Sequence, residues 1–297
     1  MDRRAGGEAA RFRVELGYQP PLATEALFAF LAARAIPGVE VVNGLEYRRA
    51  VRGRSGETIL RLRPATGPAP AMELELGAIQ PGERAGLIRA ARHVLDLDAD
   101  PRAIDAVLAA DDRLAPLVAA APGTRLPGAF DGLASTVLAI LAQGVTLASA
   151  RTMAGRIARR HGDPVDVGDP AIDRLFPDAV ALAEADLTGI GVTGRRAATI
   201  RALAGAVASG RLDLSASADP VATLATLRAI PGIGPWTTGY VALRVLGDPD
   251  AFPPGDAAVR AAFRRLRLAA DPASIASRAE SWRPWRGYAL VHLWSTG

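Results

Sequence analysis

The chain has 297 residues and a formal net charge of +4, and 49% of its residues are hydrophobic while only 5% are aromatic. This length accommodates two domains with a sizeable core, and long alanine-leucine runs favour a mostly helical protein. The sequence contains no cysteine and no lysine, which excludes disulfides, thiolate metal sites, and cysteine or lysine nucleophiles.

No apolar run approaches the roughly 18 residues that a membrane-spanning helix needs. The first residues also lack the apolar core of a signal peptide, so we expect a cytoplasmic protein with no membrane partner. Residues 1–10 are predicted to form a disordered N-terminus, residues 11–105 an α+β domain, and residues 106–297 a set of helical domains.

Alternation of apolar and polar residues predicts strands in the first domain. Segments separated by Gly, Pro and Ser turns are typical of an antiparallel sheet with one solvent-exposed face. Helical periodicity predicts two helices beside this sheet. The predicted strands cover residues 12–16, 45–51, 58–63 and 72–76, and the predicted helices cover residues 24–35 and 81–97.

From about residue 101 the pattern is helical. Predicted helices over residues 130–142 and 146–160 are separated by the polar pair Gln143-Gly144. A further helix over residues 195–210 follows Gly189-Ile190-Gly191, which is a weak echo of the hairpin described next. We do not interpret this echo as an internal repeat.

The clearest motif is a pair of helices joined by Pro231-Gly232-Ile233-Gly234. Asp219 is an N-cap for a helix over residues 220–229, because it precedes a proline that suits the first turn. Glycine and proline then end this helix, and Pro235 begins the next one, over residues 235–246. A hairpin of this kind leaves backbone N–H groups unpaired and therefore favours phosphate binding.

Asp256 lies after a Gly/Pro/Asp-rich loop and immediately before another predicted helix. An isolated aspartate in this position is more often an N-cap than a catalytic group. The two roles are compatible, because a helix N-terminus favours an ionised carboxylate. Trp236 and Tyr240 stand at helical spacing, which by itself is more often found in a buried core than in a pocket. Gln143 has the alternative interpretation of a polar helix end.

These motifs together resemble the helix-hairpin-helix DNA glycosylase superfamily, and within it the bacterial 3-methyladenine DNA glycosylase II family. The resemblance is carried by the hairpin, by Asp256, and by the segments RPWRGYA, RLPGAFDGLASTVLAILAQ and GYQPPLATEALFAFLAARAI. It implies a mostly α fold with an α+β N-terminal domain. In that fold a helix-hairpin-helix glycosylase unit accompanies a small antiparallel-sheet domain.

The resemblance also implies roles for particular residues. Asp256 matches the catalytic aspartate, and aromatic residues match the base pocket: Phe30, Trp236, Tyr240 and Trp294. DNA contacts are implied for Gln143, Gly144, Gly232, Gly234 and Thr237. Main-chain carbonyls that hold a monovalent cation in the family match Arg228, Ile230 and Gly232. No cofactor is expected beyond a structural Na⁺ or K⁺ in the hairpin.

The sequence departs from the family pattern in the region predicted to contact the lesion. The residue after Gln143 is usually a bulky wedge that fills the gap left by the flipped base, but here it is Gly144. Val145 or Leu147 is the alternative wedge. Ala257 and Ser295 stand where related enzymes have tyrosines, which predicts a roomier or more polar pocket.

The expected function is that of a monofunctional glycosylase, acting as a monomer on double-stranded DNA that contains alkylated bases. Alkylation makes a purine a cationic leaving group, so one carboxylate that stabilises the developing sugar cation suffices for hydrolysis, and electron-rich rings attract the base. A glycosylase for oxidised or deaminated bases and a catalytically silent DNA-binding module are the alternatives. The absence of lysine counts against a bifunctional oxidised-base enzyme.

Overall fold

The N-terminal part of the molecule is built on a five-stranded antiparallel sheet. The computed structural model describes residues 11–54 and 56–296; the expected disorder of residues 1–10 lies outside this part. The sheet order is β1-β5-β4-β3-β2, and each neighbouring pair is antiparallel. The strands are β1 (Phe12–Gly17), β2 (Glu40–Asn43), β3 (Glu46–Gly53), β4 (Gly56–Pro64) and β5 (Ala71–Leu76).

The two faces of this sheet differ in chemistry. One face packs on helices α1 (Thr24–Ala32) and α2 (Pro81–Leu95) through apolar residues that include Phe28, Leu60 and Leu74. Part of the other face carries ion pairs, among which Glu75 faces Arg13 at 2.9 Å and Arg61 at 3.2 Å. The predicted polar face is therefore present, although a loop around Ile172 covers its other end.

From residue 101 onward the chain is helical. The helices are α3 (Pro101–Leu108), α4 (Ala115–Ala120), α5 (Gly132–Leu141), α6 (Leu147–His161), α7 (Ala179–Ala183), α8 (Gly194–Ala208), α9 (Pro220–Arg228), α10 (Pro235–Arg244), α11 (Ala257–Arg265), α12 (Pro272–Ala279) and α13 (Arg286–Trp294), with a short 3-10 helix at Glu280–Trp282. This confirms the predicted fold class, mostly α with an α+β N-terminal domain. In the part of the chain that the structure describes, every helix falls short of the length and apolar character needed to cross a membrane.

Two apolar cores organise these helices. One joins α5, α6, α8 and the buried side of the hairpin, and the other joins α10, α11 and α13. Helix α10 contributes to both, through Val241 to the first and Leu243 to the second. The hairpin and the C-terminal helix are thereby held in fixed positions on either side of α10.

Most predicted elements are confirmed to within a few residues, and two differences have clear causes. Strand β2 was missed, because four residues are too few to show alternation. Helix α1 ends at Ala32 rather than at residue 35, since the chain turns there towards Pro37-Gly38. This early end matters for the site, because it places Arg34 in a turn beside Phe30.

Candidate active site

The hairpin between α9 and α10 leaves donors open at the start of α10. Asp219 caps α9 by accepting from the N–H groups of Val221 and Ala222. By contrast, the N-cap of α10 is Gly234, which has no side chain to accept a hydrogen bond. Since α10 begins at Pro235, the N–H groups of Trp236 and Thr237 have no carbonyl one turn earlier in the helix. These donors suit an anion.

The two glycines of the hairpin differ in their surroundings. Gly232 has a φ of +91°, and a Cβ on it would lie 2.1 Å from Thr199 Oγ1 on α8. The same Thr199 hydroxyl donates to the carbonyl of Pro231 at 2.9 Å, so α8 supports the hairpin directly. Gly234 has a negative φ of −96°, and a Cβ on it would meet no atom within 4 Å. Only Gly232 is therefore required by the fold itself.

Asp256 is the N-cap of α11, as the simpler interpretation predicted, and it is also the acidic group of the site. Its Oδ1 accepts from the N–H of Val259 at 2.9 Å. The indole N–H groups of Trp236 and Trp294 donate to Oδ2 at 2.8 Å and to Oδ1 at 3.2 Å. Each carboxylate oxygen has two lone pairs, so Oδ2 keeps one acceptor position for a further donor. The residue is 7% exposed.

The four aromatic residues predicted for the base pocket meet in one cluster. Trp236 and Tyr240 are stacked with ring centroids 5.3 Å apart, and Phe30 is stacked on Trp294 at 6.0 Å. Tyr240 joins the two pairs at 6.4 Å from Trp294. Helices α1, α10 and α13 thus each contribute to the cluster.

Gln143 lies in the loop between α5 and α6, and its side chain binds the hairpin. Its Nε2 donates to the carbonyl of Gly232 at 3.2 Å and to Thr237 Oγ1 at 3.0 Å. Arg196 of α8 donates to the main-chain carbonyl of Gln143. The two loops predicted to contact DNA are therefore connected to each other in this structure.

Gly144 is exposed and has a φ of +69°, and a Cβ on it would meet no atom within 4 Å. A larger residue here has room but strains its backbone. The neighbouring Val145 is 38% exposed, whereas Leu147 packs partly against the helical core. Of the two alternative wedges, only Val145 projects substantially into solvent.

The carbonyls predicted to hold a cation are partly engaged. The carbonyl of Ile230 accepts from the N–H of Ile233 at 3.1 Å, and that of Gly232 accepts from Gln143. A carbonyl oxygen has a second lone pair, so each of these two oxygens can still accept a further ligand. Among the described residues, no cluster of His, Cys, Asp or Glu is arranged to hold a metal.

Two arginines beside the aromatic cluster were not predicted. The Cζ of Arg34 lies 3.5 Å from the centroid of the Phe30 ring, and that of Arg244 lies 4.8 Å from it. Arg244 is 5% exposed and donates to Tyr240 Oη at 3.0 Å and to the carbonyl of Gly128 at 2.9 Å. Burial raises the pKa of the Tyr240 phenol, but the charges of Arg244 and Arg34 outweigh burial, so the net shift is downward.

A single cleft of about 1580 Å³ collects nearly all of these groups. Its lining contains Asp256, every residue predicted for the base pocket, and the residues predicted to contact DNA, which are Gln143, Gly144, Gly232, Gly234 and Thr237. Ala257 and Ser295 also line it, where larger side chains would narrow it. Arg228 and Ile230, whose main-chain carbonyls are predicted to bind a cation, lie outside this lining.

Comparison with known proteins identifies the family. The family model of the AlkA N-terminal domain matches residues 13–131, and that of the HhH-GPD superfamily base excision DNA repair proteins matches residues 137–287. The chain belongs to the HhH-GPD superfamily. This confirms the resemblance predicted from the hairpin, from Asp256 and from the tail.

Relatives within the superfamily match along nearly the whole chain. DNA-3-methyladenine glycosylase 2 of Escherichia coli is 34% identical over 95% of this chain and 96% of its own length. A probable bifunctional transcriptional activator/DNA repair enzyme AlkA of Mycobacterium tuberculosis is 39% identical over 98% of this chain. The chain spans 58% of the length of that relative.

The fold is also shared with a solved structure. A 3-methyladenine DNA-glycosylase from Archaeoglobus fulgidus aligns with a TM-score of 0.80 at 22% identity. The alignment covers 96% of this chain and 97% of that protein. The helix-hairpin-helix arrangement with an N-terminal sheet domain is therefore common to both.

Proposed function

We propose that this chain is a monofunctional DNA glycosylase, which flips alkylated purines of the 3-methyladenine type out of duplex DNA and removes them hydrolytically. One observation carries the proposal: the buried carboxylate of Asp256 is held by the indoles of Trp236 and Trp294, two members of the aromatic cluster. A charge for the sugar and a stacking surface for the base thus share one site. The named activity of the Escherichia coli relative supports the same reaction.

The hairpin is proposed to anchor the DNA backbone. The open N–H groups at the start of α10 are well suited to one phosphate, and contacts of this kind position the protein without reading the base sequence. A flipped nucleotide is then able to enter the cleft, because unstacking costs a few kcal/mol and least for damaged bases. The protein is proposed to act in this way as a monomer.

Asp256 is proposed to oppose the positive charge that develops on the sugar as the glycosidic bond breaks. A fixed carboxylate in a water-poor cleft stabilises such charge more strongly than it would in water. The free acceptor position on Oδ2 is suited to orient the attacking water. A cationic leaving group needs little general-acid assistance.

Water is proposed to be the final nucleophile. In bifunctional relatives a lysine amine attacks the sugar, and Trp236 occupies the corresponding hairpin position here. No lysine stands elsewhere in the sequence, and arginine stays protonated at working pH. Incubation with lesion-containing DNA and borohydride should therefore trap no adduct on the helical part. Trapping there, or strand cleavage without heat or base, contradicts the proposal.

The central test is release of bases from methylated DNA, followed by mass spectrometry. The wild-type protein should release alkylated purines, and Asp256→Asn should keep DNA affinity but reduce single-turnover release by about 10²–10³-fold. Asp271→Asn is the matched control, since Asp271 caps α12 in the same way but lies outside the cleft. Equal rates of base release for wild type and Asp256→Asn would contradict the proposal and favour a catalytically silent DNA-binding protein. Release of only oxidised or deaminated bases would support the other alternative.

A structural Na⁺ or K⁺ on the carbonyls of Arg228, Ile230 and Gly232 is proposed as part of the hairpin. Such an ion would fix the hairpin carbonyls and add positive charge near the phosphate. Affinity for undamaged duplex should then be higher in K⁺ or Na⁺ than in tetramethylammonium at equal ionic strength. Equal affinity in the three salts removes the ion from the proposal.

A further inference from the structure

The guanidinium of Arg34 already occupies the aromatic surface on which a flipped base is proposed to stack. Its Cζ lies 3.5 Å from the centroid of the Phe30 ring and 5.3 Å from that of Trp294. This is the geometry of a cation–π contact. A planar cation of the chain itself therefore lies against two of the four rings that would attract a cationic purine.

The charge of Arg34 persists at neutral pH. Burial lowers the pKa of its guanidinium to about 10, which leaves it almost fully protonated at pH 7. Arg244 adds a second positive charge 4.8 Å from the same ring, and Asp256 is the nearby negative charge. The cluster thus meets more positive than negative charge before any base enters.

The Nε–H of Arg34 has no acceptor among the described residues. Its Nη1 donates to the carbonyl of Phe30 at 3.3 Å, whereas its Nε is buried and has no hydrogen-bond partner in the part of the chain that the structure describes. A buried donor without an acceptor costs free energy. Arg34 is thus held over Phe30 by its ring contact and by a hydrogen bond to the main chain.

We propose that Arg34 determines specificity by charge: it opposes bases with a formal positive charge relative to neutral purines. The inference rests on the proposed glycosylase function and refines its substrate class. Cationic purines remain substrates because their glycosidic bonds are labile. The pocket nevertheless binds them less favourably than aromatic faces without a neighbouring arginine would. Arg34, which sets this preference between charged and neutral bases, belongs to the pocket and lies outside the hairpin.

The test compares two lesions that share a carbonyl at position 6 and differ in charge. Duplexes carry either 7-methylguanine, which is cationic, or hypoxanthine, which is neutral, and single-turnover release is measured for each. Arg34→Met removes the charge but keeps an unbranched side chain over Phe30. The ratio of 7-methylguanine to hypoxanthine release should rise about tenfold in Arg34→Met, as expected for removing one like charge at a partly buried site.

Two further variants separate charge from structure. Arg34→Lys keeps the charge, so its ratio should stay near that of the wild type. Arg151→Met removes a cation that donates to the neighbouring carbonyl of Ala35 at 2.7 Å but does not line the cleft. It should leave the ratio unchanged. Loss of packing alone would change the release of both bases together and would not move the ratio.

The outcomes are distinguishable from failure of the proposed function. If the wild type releases neither base, nor any base from methylated DNA, the glycosylase function itself fails. If the wild type is active and Arg34→Met leaves the ratio within about twofold, or Arg151→Met changes it equally, only the inference about Arg34 is overturned. Should Arg34→Met not fold, Arg34→Gln supplies the same neutral comparison.

Discussion

Two turns in this molecule carry the same three residues, Gly-Ile-Gly, and lead into helices in different ways. At 189–191 both glycines have positive φ, +73° and +90°, and α8 begins only at Gly194. At 232–234 the first glycine has a φ of +91° and the second a φ of −96°, and α10 begins immediately at Pro235. The central isoleucine is buried in both turns, so packing does not distinguish them.

The difference lies in the caps. Thr193 caps α8, and its Oγ1 accepts from the N–H of Arg196 at 3.5 Å. Gly234 caps α10 without a side chain, which leaves that helix terminus free for an external anion. The shared tripeptide therefore does not determine whether the helix start is open to an anion, whereas the residue at the N-cap does.

The largest expected effect comes from placing valine at the first glycine of each turn. Gly232→Val meets Thr199 as well as an unfavourable positive φ, so it should distort the hairpin and weaken duplex binding at least tenfold on every sequence. Gly189→Val has open space and meets only the φ penalty, of about 1–2 kcal/mol. It should lower thermal stability and leave affinity unchanged. Fluorescence anisotropy measures the affinity of both variants for duplex DNA. Equal losses of affinity in the two variants would contradict the proposed difference between the two turns.

A smaller effect is expected from giving α10 the cap that α8 has. Gly234→Ser fits the backbone and has nothing within 4 Å of its Cβ, and its hydroxyl would accept from the N–H groups that a phosphate needs. We expect unchanged or slightly raised stability and a several-fold loss of affinity. Gly234→Ala adds bulk without an acceptor and serves as control. If the alanine variant binds as weakly as the serine variant, bulk rather than capping is responsible.

The turn at Gly144, a further glycine with positive φ, tests whether an open turn carries a wedge. Val145→Gly should weaken binding to abasic-site DNA by about 1 kcal/mol, the lower end of measured apolar or aromatic contacts with bases, and should spare undamaged DNA. Gly144→Leu adds an apolar side chain at a φ of +69°, so backbone strain offsets the benefit of filling the gap. If Gly144→Leu binds abasic-site DNA more tightly than the wild type, position 144 rather than Val145 is the one that fills the gap left by the flipped base.

The smallest effect is expected at the capped turn. Thr193→Ala removes a long hydrogen bond to Arg196, which should cost about 0.5–1 kcal/mol of unfolding free energy. Duplex affinity and its salt dependence should not change, because this helix terminus is not proposed to contact phosphate. A change in the salt dependence of binding would indicate that the start of α8 contacts a DNA phosphate.

Local features of this chain are predictable because local chemistry determines them. Asp219 before proline, the hairpin glycines, and Asp256 at a helix start each act within a few residues, and the structure has all three as N-caps or turns. Strand β2 has too few residues for its period to show. Element boundaries such as the end of α1 depend on packing against the rest of the chain.

The assembly of the site depends on contacts that are distant in sequence. Phe30 and Trp294 meet although 264 residues separate them, and that meeting was expected from the family resemblance rather than from residue patterns. Arg34 was missed, although one signal was available: it stands four residues after Phe30, within reach of the same ring. The bond between Gln143 and the hairpin had no local signal, because it joins two loops 89 residues apart.

Two independent requirements restrict which amino acid can stand at position 256. The cap of α11 needs a short side chain with an acceptor, which Asn, Ser and Thr also supply. The proposed chemistry needs a negative charge, which only glutamate also supplies, and glutamate is not among the residues favoured at an N-cap. A saturation library at residue 256, sorted once for folded protein and once for base release, should retain several substitutions in the first sort and aspartate alone in the second. That outcome would show that the proposed catalysis can be lost at this site while the fold is kept.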